Sequence, residues 1–188
     1  MAYTELYPTP RLAAVAAQLG SFLGSPGRQA AAPAFAAAGP TELAGSFAVW
    51  TVSLQDFRAA GAANARWNNV WHHQMRPTGG AADSFVRTRD QEGAAPEIRG
   101  VYYSPLAGEI DRAIDSIGPL PAGSGQSTVR VLEIPELRLA ALWIQHGAAN
   151  QYIPLGKFAS SADRQFEPIA ERDLTARLPD APLHGLSV

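Results

Sequence analysis

The stretch Thr128-Val-Arg-Val-Leu-Glu-Ile134, broken at Pro135-Glu136 and resumed as Leu137-Arg-Leu-Ala-Ala-Leu-Trp-Ile-Gln145, decides the fold. Apolar and β-branched residues crowd two short runs bounded by turn formers, the pattern of two strands. Gly147-Ala-Ala-Asn150 then supplies a turn, and Gln151-Tyr-Ile-Pro-Leu155 reads as a third, short strand. Pro154 lacks an N–H for a ladder, so this strand belongs at an edge or ends there. Connections this short favour an antiparallel meander.

Upstream, Glu97 to Tyr103 reads as another strand, and Ser104-Pro105 opens a helix. Leu106, Ile110, Ala113, Ile114 and Ile117 follow one helical stripe, and Gly118 is placed to stop it. The turn-rich stretch Pro119 to Gln126 joins that helix to the meander. Ser46 to Val52 alternates as a strand, with Trp50 and Val52 on one face. Ser53-Leu-Gln-Asp56 resembles a capping box at a helix start. From Ala62 to Met75 the spacing predicts an amphipathic helix, with Ala63, Trp67, Val70, Trp71 and Met75 on one side and Arg66, Asn68, Asn69, His72 and His73 on the other. Residues 76–96 read as a long loop with at most a short extended piece near Phe85-Val86. Thr9-Pro10 starts an N-terminal helix that ends near Gly24, and a final helix runs from Glu171 to Leu178.

Fifteen of the 22 residues 24–45 are Ala, Gly or Pro. Pro26, Pro33 and Pro40 cannot share one continuous helix. Residues 1–45 are therefore expected to form an N-terminal helix and an Ala/Pro/Gly-rich segment, not a separate domain. Residues 46–180 are expected to form a single α+β domain and 181–188 a tail. The expected architecture is an antiparallel sheet of four to five strands with two main helices packed on one face.

Bulk composition narrows the chemistry. At 188 residues, 46% hydrophobic and 17% charged, the chain is neither a disordered tail nor a coiled-coil rod. A formal charge of −2 argues against a nucleic-acid partner. With no cysteine, the chain has no disulfide, thiolate nucleophile or cysteine-ligated metal. Lys157 is the single lysine beside 14 arginines, which with 35 alanines fits a GC-rich bacterial coding bias. Glu5 stands where a secretory signal carries positive charge, and no apolar run reaches the length of a membrane span. A soluble, cytoplasmic protein is expected.

Several groups of residues are candidates for a site. Asn68 and His72, like Asn69 and His73, stand four apart, so a helix would pair each amide with an imidazole able to act as acid or base. Adjacent His72 and His73 diverge by about 100° on a helix, which makes one shared metal awkward. His146 stands at a hairpin end, where Glu133 or Glu136 could reach it only across the hairpin; His184 lies in the tail. Tyr102-Tyr103-Ser104 precedes a helix N-terminus, and Gly123-Ser-Gly125 begins a dinucleotide fingerprint that the following residues do not complete. Asp111 and Asp115 form an i, i+4 carboxylate pair, and Glu109 can pair with Arg112. The arginines Arg76, Arg87, Arg89 and Arg99 could clamp an anion, though Asp83, Asp90, Glu92 and Glu97 offset their charge. No H-E-x-x-H, P-loop or G-x-S-x-G motif occurs.

These readings point to a non-catalytic accessory or assembly protein that acts through protein–protein contacts or homo-oligomerisation. Trp67, Trp71, Arg87 and Arg89 are the candidate contact residues, and neither a cofactor nor a metal is expected. The alternative is a small-molecule-binding module or enzyme using histidine acid–base chemistry. In that reading Trp50, Trp67, Trp71 and Trp143 line a pocket with His73, His146 or His72 as the working imidazole.

Overall fold

The computed structural model describes residues 7–23, 41–77, 83–117, 127–156 and 166–179. Four helices and eight strands fall within them. They are, in chain order, α1 (Thr9–Leu23), β1 (Thr41–Thr51), α2 (Leu54–Ala60), β2 (Arg66–Pro77), β3 (Ser84–Arg89), β4 (Glu97–Tyr103), α3 (Pro105–Ile117), β5 (Ser127–Ile134), β6 (Leu139–His146), β7 (Ala149–Leu155), β8 (Ile169–Ala170) and α4 (Glu171–Arg177). No described helix is long and apolar enough to cross a membrane.

The fold is α+β, but its sheet has eight strands in the order β4-β3-β2-β1-β5-β6-β7-β8. The expected four to five antiparallel strands understate it. β1 and β5 run parallel, with Val49 opposite Val131, while β2–β3, β3–β4, β5–β6, β6–β7 and β7–β8 are antiparallel. A parallel pair needs a long crossover, here through α2, β2, β3, β4 and α3, so short-connection logic could not find it.

Contacts divide the chain into two compact units, one drawn from Ala48–Asn68 and Arg112–Val188, the other from Leu6–Phe47 and Asn69–Asp111. The first, the meander unit, contains β5, β6 and β7. Trp50, Leu132, Ile134, Trp143 and Tyr152 pack there with Leu54 and Phe57 of α2 and Leu174 of α4. Residues of opposite parity, Val129, Val131, Leu142, Ile144 and Ile153, are also buried, so both faces of this sheet region are covered. That explains the near-continuous run Leu142-Trp-Ile144: a strand covered on both faces need not alternate. Pro154 pairs with Ala141 on β6, whereas β8 reaches only Gln151 and Tyr152, so one side of β7 at Pro154 carries no described strand.

The expected cap of α2 is present. Ser53 Oγ accepts the Asp56 N–H at 3.0 Å and donates to Asp56 Oδ2 at 2.8 Å. Gly61 ends the helix with φ at 58°, and its N–H returns to the Phe57 carbonyl. A side chain there would meet the Glu171 carboxyl at 1.9 Å, so glycine is required by conformation and by space.

The second, the histidine unit, overturns the helix expected over 62–75. Gly61–Asn64 is a 3-10 turn, and Arg66–Pro77 is strand β2. The residues Trp71, His72, His73, Gln74 and Met75 are all buried, on both faces of the strand. Burial of both faces erases the period-2 signal, and the spacing of Trp67, Val70, Trp71 and Met75 imitates a helical stripe. Part of the expected loop 76–96 is likewise strand: β3 pairs with β2 and β4, placing Gln74 opposite Phe85 and Phe85 opposite Tyr102.

The helices of this unit do not share one face. Tyr7, at the entry to α1, packs on Trp71 and His73. Leu106 and Ala107 of α3 pack on Phe85, and Gln74 Nε2 donates to the Ala107 carbonyl at 3.0 Å. Alternate residues of a strand point to opposite faces, so α1 and α3 cover opposite sides of the β2–β3–β4 layer.

Candidate functional site

Strand geometry, not a helix face, positions the two adjacent imidazoles. They project to opposite sides of β2, and the two Asn–His pairs expected from helical spacing do not form. His73 is fully buried. Its Nδ1 lies 2.8 Å from Ser46 Oγ on β1, and its Nε2 lies 2.8 Å from Thr88 Oγ1 on β3. Each hydroxyl can donate or accept, so a neutral ring is satisfied in either tautomer. The Tyr7 ring meets His73 edge-on at 4.7 Å, and its hydroxyl donates to Asp90 Oδ1 at 2.8 Å. Arg11 Nη2 holds the same carboxylate oxygen at 3.1 Å. Burial pushes His73 down to about 4, against the opposing pull of Asp90, and burial with the Asp90 bond raises Tyr7 to about 12.

His72 has a harsher environment. Its ring stacks on Phe85 at 4.0 Å with an interplanar angle of 21°, and Phe47 approaches edge-on at 6.4 Å. Neither ring nitrogen makes a well-formed hydrogen bond, and the neighbouring Gln74 Oε1 also lacks one. Burial first, then the charges of Arg87 and His73, holds His72 down to about 3, although the Gln74 amide favours the charged ring. An imidazole so held is neutral at pH 7, and protonating it is unfavourable.

Outward from His72 the stack continues. Tyr102 lies on Phe85 at 5.0 Å, and the Arg87 guanidinium sits 5.6 Å from the Phe85 ring and 6.0 Å from that of Tyr102. Tyr102 is 44% exposed. Gly100 leaves room for it, since a Cβ there would come within 2.8 Å of the Tyr102 hydroxyl.

The other candidates disperse. Asp111 is taken up by Gln74 at 3.1 Å and Arg76 at 2.9 Å, while Asp115 is exposed. Arg99 pairs with Glu97 at 3.0 Å, and Arg89 is exposed at the end of β3. Arg112 lies over the Phe166 ring at 5.3 Å. Ser104 Oγ accepts the Leu106 N–H at 3.2 Å, a local cap at the start of α3. Glu136 accepts the Leu54 N–H at 3.3 Å. Gly123, Gly125 and His184 lie outside the described residues.

In the meander unit, His146 Nδ1 lies 2.8 Å from Ser127 Oγ. Trp143, three residues earlier on β6, faces the opposite side, where its indole N–H donates to Asn150 Oδ1 at 2.9 Å. Arg130 lies against both Trp50 and Trp143, at 4.8 and 4.9 Å, and donates to Gln145 at 3.0 Å. Trp143 and His146 therefore do not line one pocket. Trp71 is buried against Tyr7, and Trp67 is 39% exposed.

Two surface hollows are lined by described residues. One, of about 670 Å³, lies between Ala17, Gln18 and Phe22 of α1 and Pro96–Ile98. The other, of about 550 Å³, surrounds Glu167, Asp173 and Arg177 near α4. No histidine borders either. Among the described residues no three His, Asp or Glu side chains gather to hold a metal ion.

Sequence reasoning missed one polar cluster. Tyr152 donates to Glu171 Oε2 at 2.5 Å, and the same oxygen accepts the Ala62 N–H at 3.1 Å. Burial, then the Glu171 carboxylate, pushes the Tyr152 phenol well above its ordinary value. The bare Cα of Gly61 leaves the space that the Glu171 carboxyl fills. Compared with protein-family models, curated proteins and solved structures, the chain matches none.

Proposed function

We propose that this chain is a non-catalytic accessory protein that works by binding another protein through an aromatic surface on β3 and β4. The observation that supports this is Tyr102. It is a large exposed ring held rigid by Phe85 beneath, with Arg87 beside it and Gly100 cleared for it. Rigid aromatics next to arginine are the residue types that dominate binding energy at protein interfaces. His72 and His73 lend the catalytic alternative little support. His72 and His73 are sealed among side chains that already use or exclude their nitrogens, and a general base must reach its substrate's proton. Trp71, a contact candidate by sequence together with Trp67, Arg87 and Arg89, is buried, and Tyr102 joins Arg87 in its place.

The test is quantitative cross-linking and pull-down from the native extract with the wild type and Tyr102→Ser, whose fold is checked by circular dichroism. A partner retained by the wild type should fall at least tenfold with the variant. Equal recovery by both, or a wild type that stays monomeric and retains nothing, overturns the proposal.

A further inference from the structure

The sealed histidine pair lies where a charge disturbs most. β2 carries His73 on the side covered at the entry to α1 and His72 on the side covered by α3. We propose that His72 and His73 form an acid-triggered latch, whose protonation releases α1 and the Pro105–Asp111 part of α3 from the two faces of the β2–β3–β4 layer while the meander unit, to which Arg112–Ile117 belongs, keeps its fold.

The groups facing each ring carry the argument. Against His73, β1 offers the Ser46 hydroxyl and β3 the Thr88 hydroxyl. From the α1 side come Tyr7 and Arg11, and both engage the Asp90 carboxylate that follows β3. Against His72, β1 offers Phe47, and β3 offers Phe85 and the cation Arg87. The charged group that α3 brings to this side, Asp111, is held by Gln74 and Arg76. Both carboxylates thus already serve other cations or donors, and a second imidazolium would repel the first. The charged pair is relieved by admitting water, which means lifting the helices.

Burial holds both rings neutral far below the ordinary histidine value, to about 3 and about 4, while the open chain protonates near 6.5. A depressed folded value means stability that is present above pH 6.5 and lost as pH falls toward 4. Each ring multiplies the open population about tenfold per pH unit in that window, about a hundredfold for the pair. The meander unit has no fully buried histidine among its described residues; His146 is only half-buried.

Hydrogen exchange followed by mass spectrometry on the full chain at pH 7 and pH 5, corrected for intrinsic rates, tests this. Peptides from α1, β2, β3 and the Pro105–Asp111 part of α3 should lose protection at least tenfold more than peptides from β5, β6 and β7. The difference should shrink at least tenfold in His72→Phe, which extends the stack on Phe85. If that variant does not fold, an NMR titration of the wild-type imidazoles decides. Rings that stay neutral until the exchange signature appears support the latch. Uniform loss of protection, an unchanged His72→Phe, or imidazoles that titrate near pH 6.5 in an intact fold would overturn it.

Discussion

The two units bury different chemistry. The meander unit closes on Leu132, Ile134, Leu139, Trp143, Tyr152 and their apolar neighbours, with Tyr152 finding Glu171 for its hydroxyl. Among the described residues the histidine unit holds five of the six buried polar ones, His72, His73, Gln74, Ser84 and Thr88, against Ser127 in the other. Apolar burial is indifferent to pH, whereas a buried imidazole is tolerated only while neutral. The same architecture, a sheet under helices, thus closes one unit mainly on apolar side chains and the other around two imidazoles.

The largest single effect should come from the meander unit, at Gly61. Gly61→Ala forces a side chain into a left-handed conformation and into the Glu171 carboxyl, displacing the acceptor of Tyr152 and of the Ala62 N–H. Strain and two lost bonds together should lower unfolding free energy by about 3 kcal/mol in urea titration. Adding Glu171→Ala should cost less than the sum of the two single changes, because both act on one carboxylate. Simple additivity would show that the glycine and the carboxylate are independent.

Next in size is the acid response of the histidine unit. His72→Phe replaces a ring whose nitrogens have no well-formed bond, so its effect at pH 7 should be small. At pH 5 the variant should be roughly 2 kcal/mol more stable than the wild type, the free energy of 1.5 pH units below the ordinary histidine value. Denaturant melts at both pH values measure it. A gain of equal size at pH 7 would mean that packing, not protonation, distinguishes the two units.

The contrast also explains what could be read from sequence. β5, β6 and β7 were legible because Pro135 and Gly147 mark their ends and their apolar residues crowd short runs. α1, α2 and α3 were legible from capping residues and stripes, whereas α4 carries no side-chain cap. β2 was not, because two covered faces destroy alternation. β3 was legible only as a short extended piece near Phe85-Val86, because Ser84, Arg87, Thr88 and Arg89 make a polar strand whose partners are supplied by the fold. The parallel match of Val49 to Val131 joins residues with three strands and two helices between them, so no local pattern encodes it. Helical spacing puts His72 and His73 on a solvated face, whereas both are buried on a strand. Their burial and their opposite faces follow from β2 being a strand covered on both sides.

The smallest effect sharpens the comparison from the meander side. Ser53 caps α2 through the Asp56 N–H and touches Asp56 Oδ2 in return. Ser53→Ala removes both contacts and should lower stability by about 1 kcal/mol, as loss of a helix N-cap does. The loss stays small because Leu54 and Phe57 anchor α2 in the core whether or not its first turn is capped. Ser53→Asn keeps an acceptor and should stay within about 0.5 kcal/mol of the wild type. No imidazole is involved, so the Ser53→Ala loss should be the same at pH 7 and pH 5 in denaturant melts. A loss that grows on acidification would tie α2 to the proton-dependent part of the molecule and dissolve the division between the two units.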